Sequence, residues 1–484
     1  MLIPRGALLS IGLILLPLCS WSQTIKIPVG DPMARNPVSP QSKLIAKKAT
    51  FGGVERNWYE YVPASYTGSA SVPLVVAVHG GNADGVWMFE KSSWAQIADQ
   101  VGFIVVYPKG SAGNGKLLRW NAYEKFNTSP DMALTADNGV DEAKFFKALI
   151  EKMEQDYRID PARVYMHGQS NGGMMTSYFG LRYPEMLAAM AVSSAPPAIE
   201  VMNAYPVTTK LPTYFWGGET DTVAGQYNPA NKSRSAICQE FAEFWARINH
   251  SEIEPKLRLD GPYNTKIYAG EAEVRNTEFR NGVHTLPFTT AYLTWNDFFL
   301  RFARGKTGGI ERLVPDSAQA APADVGAVAI KLGASFALVN HAVVRLGKTP
   351  DAVPVMVPGA PSIGTLIPAD FAAVAAGGAV EQTGESEVRI TTKAGVASFT
   401  VGSAAMIWNG KPAMLDSATA RVGSGTGGEL MISVRALPQI MPGKIVSSRK
   451  DFYKNDISYA GDRPADLSAQ TIAYIERKLV GKVQ

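Results

Sequence analysis

The chain has 484 residues, 46% of them apolar and 19% charged, with 47 lysines and arginines against 43 acids. This length exceeds what one hydrophobic core usually serves, so two domains are expected, and the apolar content excludes a disordered chain. A net charge of +4 is too small to support nucleic acid as a partner.

The first 23 residues, MLIPRGALLSIGLILLPLCSWSQ, carry Arg5, an apolar stretch from Ala7 to Leu18, and small residues at Ser20 and Ser22. They read as a secretory signal spanning residues 1–22, too short for a membrane span. The expected location is extracellular or periplasmic, after export by a bacterium, with no stable membrane insertion. Leu18 stands where a small residue would precede a lipid-anchored cysteine, which argues against anchoring through Cys19. With the signal removed, Cys238 is the one cysteine left. It cannot form an internal disulfide or a thiolate zinc site, so stability has to come from apolar cores.

From Val54 to about Ala303, strand and helix patterns alternate. PLVVAVHG (Pro73–Gly80), GFIVVYP (Gly102–Pro108), RVYMHG (Arg163–Gly168), AAMAVSSA (Ala188–Ala195) and TYFWGG (Thr213–Gly218) are short apolar runs ending in glycine, proline or small residues. Such runs suit strands buried on both faces of a parallel sheet. Helices are expected over Val140–Tyr157, with Phe145, Leu149 and Met153 on one stripe, and over Gly172–Tyr183 and Ser233–Asn249. The alternation predicts an α/β domain over residues 23–303.

RGKTGGIERLVPDSAQAAPADVG (Arg304–Gly326) is rich in small residues and has no sustained period, so residues 304–325 read as a linker. Residues 326–484 change texture to short segments of Ala, Val and Gly, expected to form a smaller β-rich accessory domain. Within it ALVNHAVVRL (Ala337–Leu346) resembles MIWNGKPAML (Met406–Leu415). TLIPADFAAVAAG (Thr365–Gly377) likewise resembles LMISVRALPQIMPG (Leu430–Gly443). The aligned asparagines, 340 and 409, and isoleucines, 367 and 432, are 69 and 65 residues apart. A repeated unit of hairpin and short helix is expected. Through Asn409–Gly410 and the Ile432–Leu437 stretch it resembles the stalk module also called the copper amine oxidase N-terminal domain. The first copy departs from it at Asn340–His341 and at Asp370, where the second has Arg435.

RVYMHGQSNGG (Arg163–Gly173) holds the chemistry. GQSNG fits G-x-S-x-G, a pattern in which the serine sits on a sharp strand-to-helix turn. Strand and helix approach so closely there that side chains two residues either side would clash. A serine nucleophile needs a base, and the base an orienting acid, in chain order Ser, acid, His. Of five histidines, His79 and His167 precede Ser170, His341 lies in the other domain, and His250 ends a helix. His284, in NGVHTLP before a helix starting near Thr289, remains. The acid should follow the next buried strand, where TYFWGGETDTV offers Glu219 and Asp221; Asp221, deeper in the loop, is favoured. HGGN (His79–Asn82) resembles a glycine-bearing oxyanion loop. Amides of Gly81 or Asn82 on one side and Asn171 on the other are the expected donors, with His79 bracing the loop. Trp120 is placed equally as pocket wall or core, Trp87 and Met88 are further candidates for the cleft, and Trp94 reads as helix packing. GSGTGG (Gly423–Gly428) reads as a flexible loop. No metal motif is present and no cofactor is required.

HGGNADG, GFIVVYPKG, VDEAKFFKALIEKMEQDYRIDPARVYMHGQSNGGMM, GGETDTV and GVHTLP follow in order the secreted polyhydroxybutyrate depolymerase and feruloyl esterase-like family of α/β-hydrolases, which residues 50–303 resemble. The resemblance implies Ser170 as nucleophile, Asp221 as acid, His284 as base and Trp120 as a substrate-facing tryptophan. Two departures stand out: Leu286 replaces the tryptophan of His-Thr-Trp-Pro, and the family's usual cysteines are absent apart from Cys238. The expected function is a secreted serine esterase acting on a polyester or on feruloyl or acetyl esters of polysaccharide. The C-terminal domain would offer a polymer or cell-wall surface. The alternative is a polymer-binding surface protein with a vestigial hydrolase domain.

Overall fold

The alternating apolar runs become strands of one sheet. In chain order the first domain carries β1 (Ile45–Phe51), β2 (Val54–Tyr61), β3 (Val72–Val78), α1 (Gly85–Ser92), α2 (Trp94–Val101), β4 (Ile104–Pro108), β5 (Ser111–Gly113) and β6 (Leu117–Arg119). Then follow α3 (Glu142–Asp156), β7 (Ile159–Gln169), α4 (Asn171–Arg182), β8 (Ala189–Ser193), α5 (Ile199–Ala204), β9 (Thr213–Gly218) and α6 (Arg234–Ile248). The domain closes with β10 (Lys256–Asp260), β11 (Tyr263–Tyr268), β12 (Val274–Phe279), α7 (Thr289–Asp297), β13 (Phe302–Arg304) and β14 (Ile310–Arg312).

This computed structural model describes residues 24–113, 117–122, 141–195, 199–219, 221, 234–253, 255–260, 263–279 and 282–314. Beyond them it describes 328–331, 336–339, 342–346, 351–354, 363–422, 428–441, 445–450 and 456–461. The expected signal at 1–22, the linker reading beyond residue 314, Asn340–His341 and most of GSGTGG lie outside the described residues.

Ten strands form one sheet in the order β1-β2-β4-β3-β7-β8-β9-β12-β11-β10. Its six central members, from β4 through β12, run parallel. Antiparallel additions flank them, β1 and β2 on one edge and β11 and β10 on the other. Alternation splits β3, β4, β7, β8 and β9 between two cores, because successive side chains point to opposite faces. Leu74, Val76, Ile104, Val106, Val164, Met166, Met190, Val192 and Phe215 join one core. Val75, Ala77, Val105, Tyr107, Tyr165, Ala189, Ala191, Tyr214 and Trp216 join the other. Helices α3, α4 and α6 cover the first through Phe146, Leu149, Met175, Phe179, Phe241 and Trp245. Helices α1, α2 and α7 cover the second through Met88, Trp94, Ile97, Tyr292 and Trp295. A mostly parallel, doubly wound sheet with a serine on a strand-to-helix elbow is an α/β-hydrolase fold.

The sequence reading missed the two flanking pairs, whose strands mix polar and apolar residues and carry no continuous apolar run. Arg304, expected to open a linker, instead ends β13, which pairs with β14. Its guanidinium is buried and donates to the carbonyls of Pro184, Leu187, Lys210 and Gly308. Residues 304–312 therefore pack as part of the hydrolase domain.

The C-terminal region contains two copies of one succession. The first is Val328–Lys331, the hairpin Phe336–Val339 and Ala342–Arg345, the strands Asp351–Pro354 and Ile363–Pro368, a helix Ala369–Ala375, then Ala379–Thr383 and Glu387–Thr392. The second is Gly395–Thr400, the hairpin Ala405–Trp408 and Lys411–Met414, Ala420–Val422 and Glu429–Ser433, short helices over Val434–Ile440, then Ile445–Lys450 and Asp456–Gly461. Each five-stranded sheet joins the first three strands of one copy to the last two of the other, through Val328–Lys331 against Asp456–Gly461 and Glu387–Thr392 against Gly395–Thr400. The copies also meet in a four-stranded sheet where Ile367 pairs directly with Ile432, the two isoleucines aligned in the sequence. Asn409 and Gly410 make the second hairpin's turn with φ of 50° and 79°, as a two-residue turn with both φ positive demands.

Candidate active site

Ser170 follows β7 and opens α4, with φ 54° and ψ −124°. That conformation is costly for any residue with a Cβ and persists only where its surroundings enforce it. The glycines around it supply the enforcement. A Cβ on Gly168 would collide with the Gly172 carbonyl, and one on Gly172 with the carbonyls of Val78 and His79 at the end of β3. Backbone touches backbone on both sides, and the serine is pushed above the carboxyl rim of the sheet.

The other two members arrive from loops after β9 and β12. Glu219 N–H donates to Phe279 O (2.9 Å) and Asp221 N–H to Gly218 O (3.2 Å), turning Asp221 inward until it is 5% exposed. A Cβ on Gly218 would strike the Gly282 backbone, so both glycines let the acid and histidine loops cross. His284 Nε2 lies 2.8 Å from Ser170 Oγ, and its Nδ1 lies 2.7 Å from Asp221 Oδ2. The structure thus brings Ser170, His284 and Asp221 into one hydrogen-bonded line.

The oxyanion side requires two corrections. Asn82 N–H is occupied, donating to Leu118 O at 2.9 Å, so Asn82 is no candidate oxyanion donor. Gly81 and Asn171 face each other: a Cβ on Gly81 would lie 3.7 Å from that of Asn171. Asn171 also stands in the first turn of α4, where amides have no acceptor within the helix. The second correction concerns Trp120, which is fully buried in the first core and donates its indole N–H to His79 O at 2.9 Å. It is a brace and not a substrate-facing wall. Asn171 clamps its main chain from both sides, Oδ1 accepting from Trp120 N–H (2.6 Å) and Nδ2 donating to Trp120 O (3.1 Å).

Trp87 sits in α1, half-buried against the second core. Met88 is wholly buried there, and so is Leu286, the residue standing in for the family's tryptophan. Trp94 packs in the same core and donates to His167 Nδ1 (2.9 Å). Beside His284, a small cleft is lined by Ser194, Trp216, Tyr263, Phe279, Val283 and Pro287, among others. Nothing in the sequence marked the hairpin of β5 and β6, which carries Leu118 and Trp120 to the oxyanion loop, since a three-residue strand leaves no periodic signal.

Burial disfavours charge on the two histidines of the central strands. His79 is lowered to about 4 and His167 to about 3. Both ring nitrogens of each are hydrogen-bonded away from Ser170, His79 to Gly80 O and Gly110 N–H and His167 to Trp94 and Ser193, so neither serves as the base. Among the described residues no group of histidines, cysteines and acids could hold a metal ion, and no helix is long and apolar enough to cross a membrane.

Curated relatives match part of this chain. Poly(3-hydroxyalkanoate) depolymerase C of Paucimonas lemoignei is 31% identical over 186 residues, which is 37% of this chain and 41% of the relative. The bifunctional acetylxylan esterase/xylanase of Neocallimastix patriciarum is 28% identical over 171 residues, 35% of this chain and 22% of the relative. The chain thus spans less than half the length of either. Among solved structures, the acetyl xylan esterase from Aspergillus awamori aligns with 52% of this chain and 99% of its own, at a TM-score of 0.41 and 20% identity. The family whose sequence model the chain matches is the one described as Esterase PHB depolymerase, over residues 58–224, the stretch that holds HGGN and the serine elbow.

Proposed function

We propose that the protein is a secreted serine esterase that cleaves carboxylic esters by acyl transfer. The observation that carries this reading is the line from Asp221 Oδ2 through His284 to Ser170 Oγ, with steps of 2.7 and 2.8 Å. Ser170 Oγ attacks the ester carbonyl carbon while His284 Nε2 takes its proton. The carbonyl oxygen becomes an oxyanion facing the amides of Gly81 and Asn171. The C–O bond then breaks, and the alcohol leaves with the proton from His284. Water, deprotonated by His284, attacks the acyl-serine and releases the acid. Asp221 holds the imidazole in the required tautomer and stabilises its charged form.

The substrate is a polyester of the hydroxyalkanoate or aromatic kind, or a feruloyl or acetyl ester of a polysaccharide. The relatives named for poly(3-hydroxyalkanoate) and for acetylxylan support that range. The duplicated C-terminal domain is read as an accessory module that tethers the enzyme to a polymer or wall, raising local substrate concentration without new chemistry. Purified protein should hydrolyse p-nitrophenyl acetate, and Ser170→Ala should not. Release of hydroxybutyrate, ferulate, acetate and terephthalate from the corresponding esters then assigns the substrate. Wild-type turnover by the alanine variant would overturn the proposal.

A further inference from the structure

We infer that His79 is a positioning residue whose neutral imidazole turns the Gly80–Gly81 peptide so that Gly81 N–H faces the reacting carbonyl. This rests on the serine-esterase reading above and adds to it the element that aims one of its oxyanion donors.

His79 Nε2 accepts the N–H of Gly110 at 2.9 Å, so the ring proton is on Nδ1, and Nδ1–H donates to Gly80 O at 2.6 Å. No described peptide bond is cis. In a trans peptide the C=O of one residue and the N–H of the next point in opposite directions. Holding Gly80 O against the imidazole therefore turns Gly81 N–H away from it. The Gly80–Gly81 backbone lies against the nucleophile elbow: a Cβ on Gly80 would stand 3.2 Å from Ser170 Cβ, and one on Gly81 3.7 Å from Asn171 Cβ. The following peptide is pinned separately by Asn82 N–H on Leu118 O (2.9 Å), so the loop cannot swivel at its far end.

The imidazole is itself held in place. Trp120 stacks obliquely on it at 4.9 Å between ring centroids and donates its indole N–H to His79 O (2.9 Å). The same Trp120 has both main-chain polar groups clamped by the Asn171 side chain. Asn171 thus offers one oxyanion donor through its backbone and, through its side chain, Trp120 and His79, fixes where the other stands. A donor is worth its catalytic contribution only when preorganised at the place where charge develops. Burial keeps His79 neutral, which its two opposite hydrogen-bond roles require.

The test compares His79→Ala, His79→Asn and Trp120→Phe with wild type on p-nitrophenyl acetate, with Ser170→Ala alongside and thermal melting for each. The asparagine amide can take the place of Nδ1–H, whereas alanine cannot. Trp120→Phe keeps a ring in the core and deletes the indole donor. His79→Ala should lower kcat on the order of 10²-fold, the cost of losing one oxyanion donor, with KM nearly unchanged. His79→Asn should recover most of that loss, and Trp120→Phe should cost about tenfold in kcat, one hydrogen bond's worth of alignment. A kcat within twofold of wild type for His79→Ala, or an asparagine variant no better than alanine, overturns the inference. If His79→Ala does not fold, wild-type kcat in folded Trp120→Phe overturns it equally. Activity surviving in Ser170→Ala would instead bring down the esterase reading beneath it.

Discussion

Acidification should unfold the hydrolase domain well before its carboxylates are lost. His79 and His167 sit on neighbouring strand ends, both fully buried, with opposite ring protons fixed by their partners. His79 accepts at Nε2 from Gly110, while His167 accepts at Nδ1 from Trp94 and holds Ser193 Oγ at Nε2 (2.8 Å). Burial lowers them from 6.5 to about 4 and about 3. A histidine depressed in the folded state leaves stability intact above its unfolded pKa. As pH falls below that value the unfolded chain takes up protons that the folded one refuses, and stability is lost until the folded pKa is reached. Each histidine then costs about 1.4 kcal/mol per pH unit, so the two together remove about 5 kcal/mol between pH 6.5 and 4.5. That is comparable with the whole stability of many domains. Asp141 and Glu273, both held low despite burial, the one by the Lys144 amide and Arg182 and the other by Arg275, Arg301 and Arg312, lose stability only below their ordinary values of 3.8 and 4.5. The loss in the window above pH 4.5 therefore belongs to the histidines, opposed there by Glu154, whose carboxyl is pushed up by burial and so adds stability as pH falls. Urea midpoints at pH 7, 5.5 and 4.5, with imidazole nitrogen shifts by NMR, measure the effect. Flat midpoints across that window, or either imidazole protonating near 6.5, would refute the reasoning.

Ser170→Ala should fold normally and lose on the order of 10⁴–10⁶ in kcat, read on p-nitrophenyl acetate. Asp221→Asn should cost on the order of 10⁴ in kcat while Glu219→Gln costs far less, because Asp221 Oδ2 is the carboxylate oxygen 2.7 Å from the imidazole Nδ1; the reverse ranking would exchange their roles. Gly172→Ala drives a methyl group into the Val78 and His79 carbonyls and should destabilise by on the order of 3 kcal/mol or more in urea melts. A chain ending at Ala303 loses the buried Arg304 guanidinium and leaves its carbonyl acceptors unpaired, so it should aggregate. One ending at Val314 should stay soluble, keep its rate on small esters and lose turnover on insoluble polymer.

Much of the hydrolase domain was legible because its central strands are buried on both faces. Burial on both faces demands uninterrupted apolar runs, and those stand out in a sequence. The flanking β1, β2, β10 and β11 have at least partly exposed or mixed faces and are not so marked. Within the site, Ser170 was legible from the glycines that its strained turn requires, and His284 from there being so few histidines. The oxyanion loop was legible only in outline. Whether Asn82 N–H is a donor to substrate or is already occupied depends on Leu118 O, delivered by a hairpin whose strands have three residues each.

The C-terminal half divides the same way. Spacing between like segments told of two copies, since duplicated chains keep their offsets. That each copy lends its last two strands to the other's sheet was decided by tertiary pairing, because an antiparallel strand satisfies its hydrogen bonds equally well against its own copy or the other. The amino-acid sequence by itself determined which residue types could do chemistry and which stretches had to be buried. Tertiary structure decided which amide faces outward, which tryptophan braces and where the hydrolase domain ends. Those outcomes turn on hydrogen-bond partners far apart along the chain, and no local pattern records them.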